Sequence, residues 1–576
     1  MAALQLCWAA TALAQQSPTP FPGQPEPGRN VPPPSAPPAP QFEFSIPAPQ
    51  RGPVPRAVDE ITFDVSEIRV VGSTIFKPED FQPLTAPLVG KSDKLSDIIS
   101  VADKIESMYR DKGFVLTRAF VPPQTVANGI FQINVVEGYV KAAAVTGGND
   151  MDRDYVNAYV QPVTQERPTT IETMERGLLM ANSVPGVVAS GLLKPSPTEP
   201  GASDLLVNLN EQPFEATLYS DNRGSALTGP VTVGYQLIGN DLVYVPGQLM
   251  LDISGTPLLE QRRLIQTHYT RPVGYNGLTL TIGGVLAHGL PAALGGQLTS
   301  DSYALSAHLN YPYIVSRAVN VSVAGGLTIQ GSKVTQGGAA GAALLAAGVS
   351  SVTNSDHWRE ADISVSLQNR GFINDSVSSG TFGITQGIPA FGASSTTNGL
   401  ATNSSGPVGA NDGASVGFTK YTFTGQHDQP IIGPVSASFH ALLQYSNERL
   451  MIGEQTSFGG SGIGRGYDPA ALAADSGAGI SSELRYDAHF PKYYLDTAQF
   501  YTFFDAATVW PNHDQAPQTP PLVNQNALAS IGFGVRVSLL QRVTGGIEFA
   551  QQLEGVPNSN NAVTGARILF NAAVRY

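Results

Sequence analysis

Near its C-terminus the chain alternates with a period of two and confines its charges to one side of that alternation. In Ala527 to Ser538, residues Ala529, Ile531, Phe533, Val535 and Val537 share one face; Ser530, Gly532, Gly534 and Arg536 share the other. Val543, Ile547 and Phe549 likewise oppose Thr544 and Glu548, and Ile568, Phe570, Val574 and Tyr576 oppose Arg567, Asn571 and Arg575. Two faces so unequal fit a lipid and a lumen, because a charge at mid-bilayer costs about 2–4 kcal/mol. A soluble sandwich alternates too, but its polar face carries more Lys and Glu. No stretch approaches the roughly 20 apolar residues of a transmembrane helix, so a membrane crossing here requires a closed barrel. Charged residues are 14% of the chain, against about 25% in ordinary soluble proteins. With 60 glycines and a mean hydropathy of −0.04, the composition suits half-apolar strands.

This texture begins after Pro213. Roughly 360 residues, at about 20–25 per strand and turn, predict about 16 antiparallel strands, and an even number returns both ends to one side. Two long, small-residue-rich segments, Gly337 to Asn354 and Ala390 to Gly413, read as extracellular loops.

Upstream lies a different organisation. Phe63, Val65, Ile68, Val70 and Val71 predict a strand, and Pro78 to Thr85 a helix. Leu95, Ile98, Ile99, Ala102, Ile105 and Met108 repeat at helical spacing up to Lys112, with Gly113 as the stop. Strands follow at Leu116 to Val121 and Ile130 to Val136. The order β-α-α-β-β then recurs: a strand at Val140 to Thr146, helices at Met151 to Val160 and Ile171 to Asn182, strands at Val187 to Lys194 and Asp204 to Asn210. Ahead of both, residues 15–58 form a Pro-rich leader expected to be extended or disordered. Residues 1–14 read as a signal peptide ending in Ala12-Leu13-Ala14. Its missing basic region suggests a truncated start. The only cysteine, Cys7, lies in that segment, which removes disulfides and cysteine-based sites from the expected mature chain.

Several short motifs occur in one order along this frame. They are Pro123-Gln124, Gly129 and Val135-Val136-Glu137-Gly138; Asp221-Asn222-Arg223-Gly224 with Thr228-Gly229; Gln386-Gly387-Ile388-Pro389; and Glu454-Gln455-Thr456-Ser457-Phe458-Gly459-Gly460. Gly464-Arg465-Gly466-Tyr467 and Phe503-Phe504-Asp505-Ala506-Ala507 follow. In this order they resemble the TpsB transporters of two-partner secretion, the ShlB/FhaC/HecB-like proteins of the Omp85 superfamily. The resemblance implies a mixed fold: periplasmic POTRA domains at 59–138 and 139–212, then an outer-membrane barrel at 213–576 with an inward loop near 454–483. It also implies a loop lock, with Arg465 of the tip tetrad Gly464, Arg465, Gly466 and Tyr467 paired to Asp505 beside Phe503. Flanking glycines relieve a tight turn, and a guanidinium holds a carboxylate in a bidentate contact. Two positions depart from the family: Gly464 stands for its usual valine and Ala507 for its usual glycine.

The same resemblance implies export of an unfolded TpsA-type hemolysin or adhesin. The expected docking edge is Leu116, Thr117, Arg118, Ala119, Phe120 and Val121, where an extended segment adds as a strand. The related alternative is an Omp85-type insertase that assembles other barrels, although such relatives usually carry more POTRA units. The reading further expects outer-membrane lipid and lipopolysaccharide around the barrel, one copy of the chain per pore, and no cofactor or metal. A net charge of −13 with no basic stripe argues against nucleic acid. Catalysis is not expected: His268, His288 and His308 recur at a spacing that fits successive strands, and no hydrolase or zincin motif occurs.

Overall fold

The computed structural model describes Phe44–Ser45 and residues 62–576, except 127, 227, 243–245, 258, 260, 291–297, 338–351, 398–399, 402–413, 491–494, 513–525 and 556–564. The expected signal segment and most of the leader lie outside the described residues. The leader is nonetheless not wholly unstructured. Its strand β1 (Phe44–Ser45), in a stretch free of proline, pairs in parallel with Gly191 and Leu192.

The expected strand from Phe63 to Val71 is broken at Ser66. The apolar positions change parity there, odd at Phe63 and Val65 and even at Ile68 and Val70, so one strand cannot bury both pairs on one face. Instead β2 (Thr62–Val65) and β3 (Glu67–Val71) enter different sheets. After α1 (Pro78–Thr85), β4 (Lys91–Lys94) pairs with β2. The helix α2 (Leu95–Asp111) then buries Ile98, Val101, Ala102, Ile105 and Tyr109. They pack against Phe131, Ile133 and Val135, and each buried Ile, Val or Phe among them contributes roughly 1.5–3 kcal/mol. β5 (Arg118–Phe120) and β3 flank β6 (Ile130–Val136). The predicted strand at Leu116 to Val121 thus shrinks to three residues, because the Thr117 backbone N–H donates back to the Phe114 carbonyl in a turn.

The second repeat is β7 (Tyr139–Gly147), α3 (Asp150–Val160), α4 (Ile171–Ala181), β8 (Val187–Pro195) and β9 (Ala202–Glu211). Its sheet order is β1-β8-β9-β7. Asn149 Oδ1 accepts from the Asp152 amide at 2.9 Å and caps α3.

From Phe214 the described chain forms a closed barrel. Its first nine strands are β10 (Phe214–Asp221), β11 (Thr232–Asn240), β12 (Gln248–Gly255), β13 (Arg262–Pro272), β14 (Thr279–Gly289), β15 (Leu298–Val315), β16 (Val319–Gln336), β17 (Val352–Arg370) and β18 (Val377–Gly387). A short hairpin, β19 (Ser394–Thr397) and β20 (Leu400–Ala401), extends β17, while β18 pairs directly with β21 (Thr419–Ile432). β22 (Val435–Ser446) leads into a loop hairpin, β23 (Thr456–Phe458) and β24 (Leu472–Ala474). The wall resumes with β25 (Ser476–His489), β26 (Leu495–Trp510), β27 (Ala527–Leu539), β28 (Val543–Gln552) and β29 (Ala566–Arg575). Sixteen of the described strands make the wall, closed by antiparallel pairing of β10 with β29. The side-chain amide of Asn222 continues that seam: Nδ2 donates to the Ile568 carbonyl at 2.9 Å, and Oδ1 accepts from the Phe570 amide at 2.7 Å.

Outward faces carry exposed Ile531, Phe533, Ile547, Ile568 and Phe570, the lipid set expected from the alternation. His268, His288 and His308 fall on three successive strands, β13, β14 and β15. Both expected long loops are partly strand. β17 begins at Val352 inside the first, and the β19–β20 hairpin lies inside the second; residues 338–351 of the first and 398–399 and 402–413 of the second are outside the described residues. β15, β16 and β17 run to 18, 18 and 19 residues, where about 9–11 cross a bilayer. Continuing the ladder past the lipid satisfies backbone groups that an irregular loop leaves to water.

Candidate functional site

Between β22 and β25 the chain folds back into the barrel. The loop ends at Asp475, so the expected span to residue 483 overlaps β25, which starts at Ser476. Its turn requires left-handed backbone at Gly459, Gly460 and Gly464, with φ of +110°, +86° and +94°. A Cβ on Gly464 would lie 2.7 Å from Leu528 Cδ1. Glycine in place of the family's valine is therefore what this backbone and wall allow. Ala507, the other departure, is buried in the cluster of Phe458, Ile463, Tyr467, Leu472 and Leu528 that seats the loop.

The structure brings together all six residues singled out for the lock. Arg465 and Asp505 are 3% and 0% exposed, in a bidentate contact: Nε donates to Oδ2 at 3.0 Å and Nη2 to Oδ1 at 2.9 Å. The backbone amides of Gly464 and Arg465 also donate to Asp505 Oδ2, at 3.2 and 3.1 Å. The guanidinium stacks 3.5 Å from the centre of the Phe503 ring. That ring lies over Gly532, where a Cβ would come within 2.4 Å of Phe503 Cζ. Tyr467 is fully buried and donates to the carbonyls of Ala529 at 3.0 Å and Glu554 at 2.9 Å. Gly466 packs against Ser530 and β28, leaving a Cβ only 3.0 Å from Ser530 Cβ.

Sequence reasoning missed most of the socket. Arg465 Nη1 donates to Glu483 Oε1 at 2.7 Å and Glu548 Oε2 at 3.2 Å, and Nη2 to Ser481 Oγ at 3.1 Å. These residues come from β25 and β28. Their one sequence signal is position on the lumen side of the alternation, which Glu548 showed and which does not specify a partner. Glu483 is shared with Arg536 and Arg485, and Arg485 reaches Asp428 at 3.0 Å.

The base of the loop is fastened separately. Glu454 is buried and accepts from Trp358 Nε1 at 2.8 Å, from Gln330 Nε2 at 3.2 Å and from the Lys420 ammonium. Gln444 Nε2 donates to the carbonyls of Glu454 at 2.9 Å and Asp475 at 3.1 Å, tying both ends of the loop to β22. The six expected docking residues belong to the first repeat. Thr117 and Ala119 have buried side chains and Phe120 is exposed. The Ala119 amide is met by Glu106 Oε2 at 3.4 Å, and Arg118 Nη1 pairs with Glu106 Oε1 at 2.8 Å. That edge carries its own carboxylate cap.

Residues 63–138 match the POTRA domain of ShlB type. Residues 201–537, more than half of the chain, match the haemolysin secretion/activation protein family ShlB/FhaC/HecB. The heme/hemopexin transporter protein HuxB of Haemophilus influenzae strain 86-028NP is 23% identical over 498 residues, covering 83% of this chain and 82% of that protein. The solved structure of CdiB from Escherichia coli has a TM-score of 0.66 at 18% identity, covering 92% of this chain and 94% of the other. BamA from Haemophilus ducreyi, lacking POTRA domains 1–3, has a TM-score of 0.51 at 14% identity, covering 89% and 100%. At these identities the two structures speak for the fold.

Proposed function

The chain belongs to the haemolysin secretion/activation family ShlB/FhaC/HecB, and from that premise we propose how it handles its cargo. It is a TpsB-type outer-membrane transporter of two-partner secretion, with its POTRA domains in the periplasm. In the proposed cycle an unfolded TpsA-type exoprotein docks on the POTRA domains. It then threads the lumen as the loop between β22 and β25 moves, and folds outside. Docking uses the edge of β5, where an extended segment replaces the Glu106 carboxylate at the Ala119 amide and adds a strand.

The observation that carries the reading is Arg465, seated among Asp505, Glu483 and Glu548 within the barrel wall. A loop held this firmly inside a pore has a purpose only if the pore is also opened. Replacing Arg465 by Ala tests it in cells and in planar bilayers. The expected result is a raised resting conductance with reduced export of the exoprotein. Unchanged conductance and export together would remove the lock from the mechanism.

A second reading, insertion of other barrels into the outer membrane, draws on the seam. β10 and β29 pair over five residues, Thr217 to Asp221, where β10 and β11 pair over eight. Locating the cargo decides between them, since one reading releases it outside and the other leaves it embedded.

A further inference from the structure

The guanidinium of Arg465 has five N–H donors, and all five are used. Nε–H meets Asp505 Oδ2, the two on Nη2 meet Asp505 Oδ1 and Ser481 Oγ, and the two on Nη1 meet Glu483 Oε1 and Glu548 Oε2. The Phe503 ring closes one face. Every one of these partners belongs to the barrel wall, on β25, β26 and β28, and each strand is held in register by its neighbours. The loop supplies the cation and two backbone amides; the wall supplies the shape.

The wall therefore keeps that shape when the loop leaves. Glu483 is still held by Arg536 at 2.8 Å and Arg485 at 2.7 Å. Glu548 still accepts from Tyr501 at 2.8 Å, while its Oε1 has no hydrogen-bond partner among the described residues and lies 3.8 Å from Arg223. Asp505 loses its bidentate partner. An emptied socket thus leaves the buried Asp505 carboxylate without its cation, and an uncompensated buried charge is expensive. Exchange of one guanidinium for another avoids that state. An ammonium does not substitute well, since it offers three donors from one point and no planar face to the ring.

We propose that this wall is a guanidinium receptor in its own right, and that an arginine of the exported chain occupies it when Arg465 withdraws. The step is non-covalent, an exchange of one cation for another. It rests on the reading that the loop moves during export, but the receptor itself is testable without export.

The test uses the full-length protein with Arg465→Ala, its folded state checked by heat-modifiable migration. Thermal unfolding is followed against guanidinium chloride in the millimolar range, with sodium chloride and methylammonium chloride at equal ionic strength. Saturable protection by guanidinium is expected, with methylammonium about tenfold weaker for want of the planar fork. The double variant Arg465→Ala/Asp505→Asn is expected to lose the response, and the native protein, its socket filled, to show none. An unfolded Gly/Ser peptide carrying one arginine is then added from the POTRA side. It is expected to block the variant's conductance more than its lysine twin. If guanidinium and sodium act alike on folded Arg465→Ala, the receptor is refuted, whatever that variant does to export. If guanidinium protects but the two peptides block alike, the exchange with the exported chain is refuted.

Discussion

At the tip of the inward loop one guanidinium is divided among three carboxylates of the wall; at its base one loop carboxylate is divided among an ammonium, an indole and an amide of the wall. The loop thus brings a cation to one end and an anion to the other. The difference matters when the loop lets go. At the base, Gln330 Nε2 also donates to Glu360 on β17, at 2.9 Å, so a second carboxyl group stands beside the position that Glu454 would leave. At the tip, Asp505 has no second arginine within ion-pair distance among the described residues. The base is built to be released and the tip to be held.

Asp505→Ala is expected to break this most severely. It strips the guanidinium and two backbone amides of their acceptor, and loss of one partner of a buried pair costs about 3–5 kcal/mol. Single-channel recording should show a largely open pore. Glu454→Gln removes the charge pair with Lys420 but keeps an oxygen for Trp358, so a smaller cost of about 1–3 kcal/mol and brief, partial openings are expected. If Glu454→Gln opens the pore as fully as Asp505→Ala, the asymmetry between tip and base is wrong. Phe503→Leu keeps the ion pairs and removes the ring face, worth about 0.5–2 kcal/mol. Its openings should be the rarest of the three.

A third carboxylate sharpens the comparison from outside the membrane, because it holds its loop without any cation. Glu137 accepts from the amides of Thr74 at 2.7 Å and Ile75 at 3.1 Å, and from Tyr109 Oη at 2.7 Å. Partial burial pushes its carboxyl up, but the bonds from Thr74, Tyr109 and Ile75 outweigh that and hold it below the ordinary carboxylate range. A depressed folded value means the stabilisation is present above the unfolded value, ordinarily near 4.5, and is lost as pH falls through the folded one. Limited proteolysis around residues 73–76 should therefore accelerate in acid. Glu137→Gln should proteolyse faster at neutral pH and lose most of the acid dependence; an unaltered acid profile in that variant would assign the effect to another group.

Much of this architecture is legible in the residues, and the gaps have physical causes. Alternation with one-sided charge revealed the wall, because lipid tolerates so little on its side. The helices came through periodicity, Leu95–Asp111 almost to the residue. The break at Ser66 was written in the parity of Phe63 and Val65 against Ile68 and Val70, a one-residue slip easily taken for continuity. Arg465 and Asp505 were named because each sits in a motif. Glu483, Ser481 and Glu548 do not, and partners brought together by barrel curvature leave no local trace. Trp358 and Lys420 are 96 and 34 residues from Glu454 in the chain, and no local spacing joins them. The loop strands were missed because small, polar residues pair across a ladder as readily as they form a loop.

The seam between β10 and β29 has one more consequence, for how the barrel closes. Sliding β29 by one residue turns its apolar face inward and is forbidden by lipid. Sliding it by two keeps every side chain on its proper face, so hydrophobic patterning cannot choose between those alignments. Nor can Asn222, because the backbone groups it meets recur at every second residue. The ion pair across the seam can. Arg575 Nη2 on β29 donates to Glu215 Oε2 on β10 at 2.5 Å, and a two-residue shift carries the two residues about 6–7 Å out of step. The last strand is keyed to the first by a charge pair, which favours one register when the sheet is made circular.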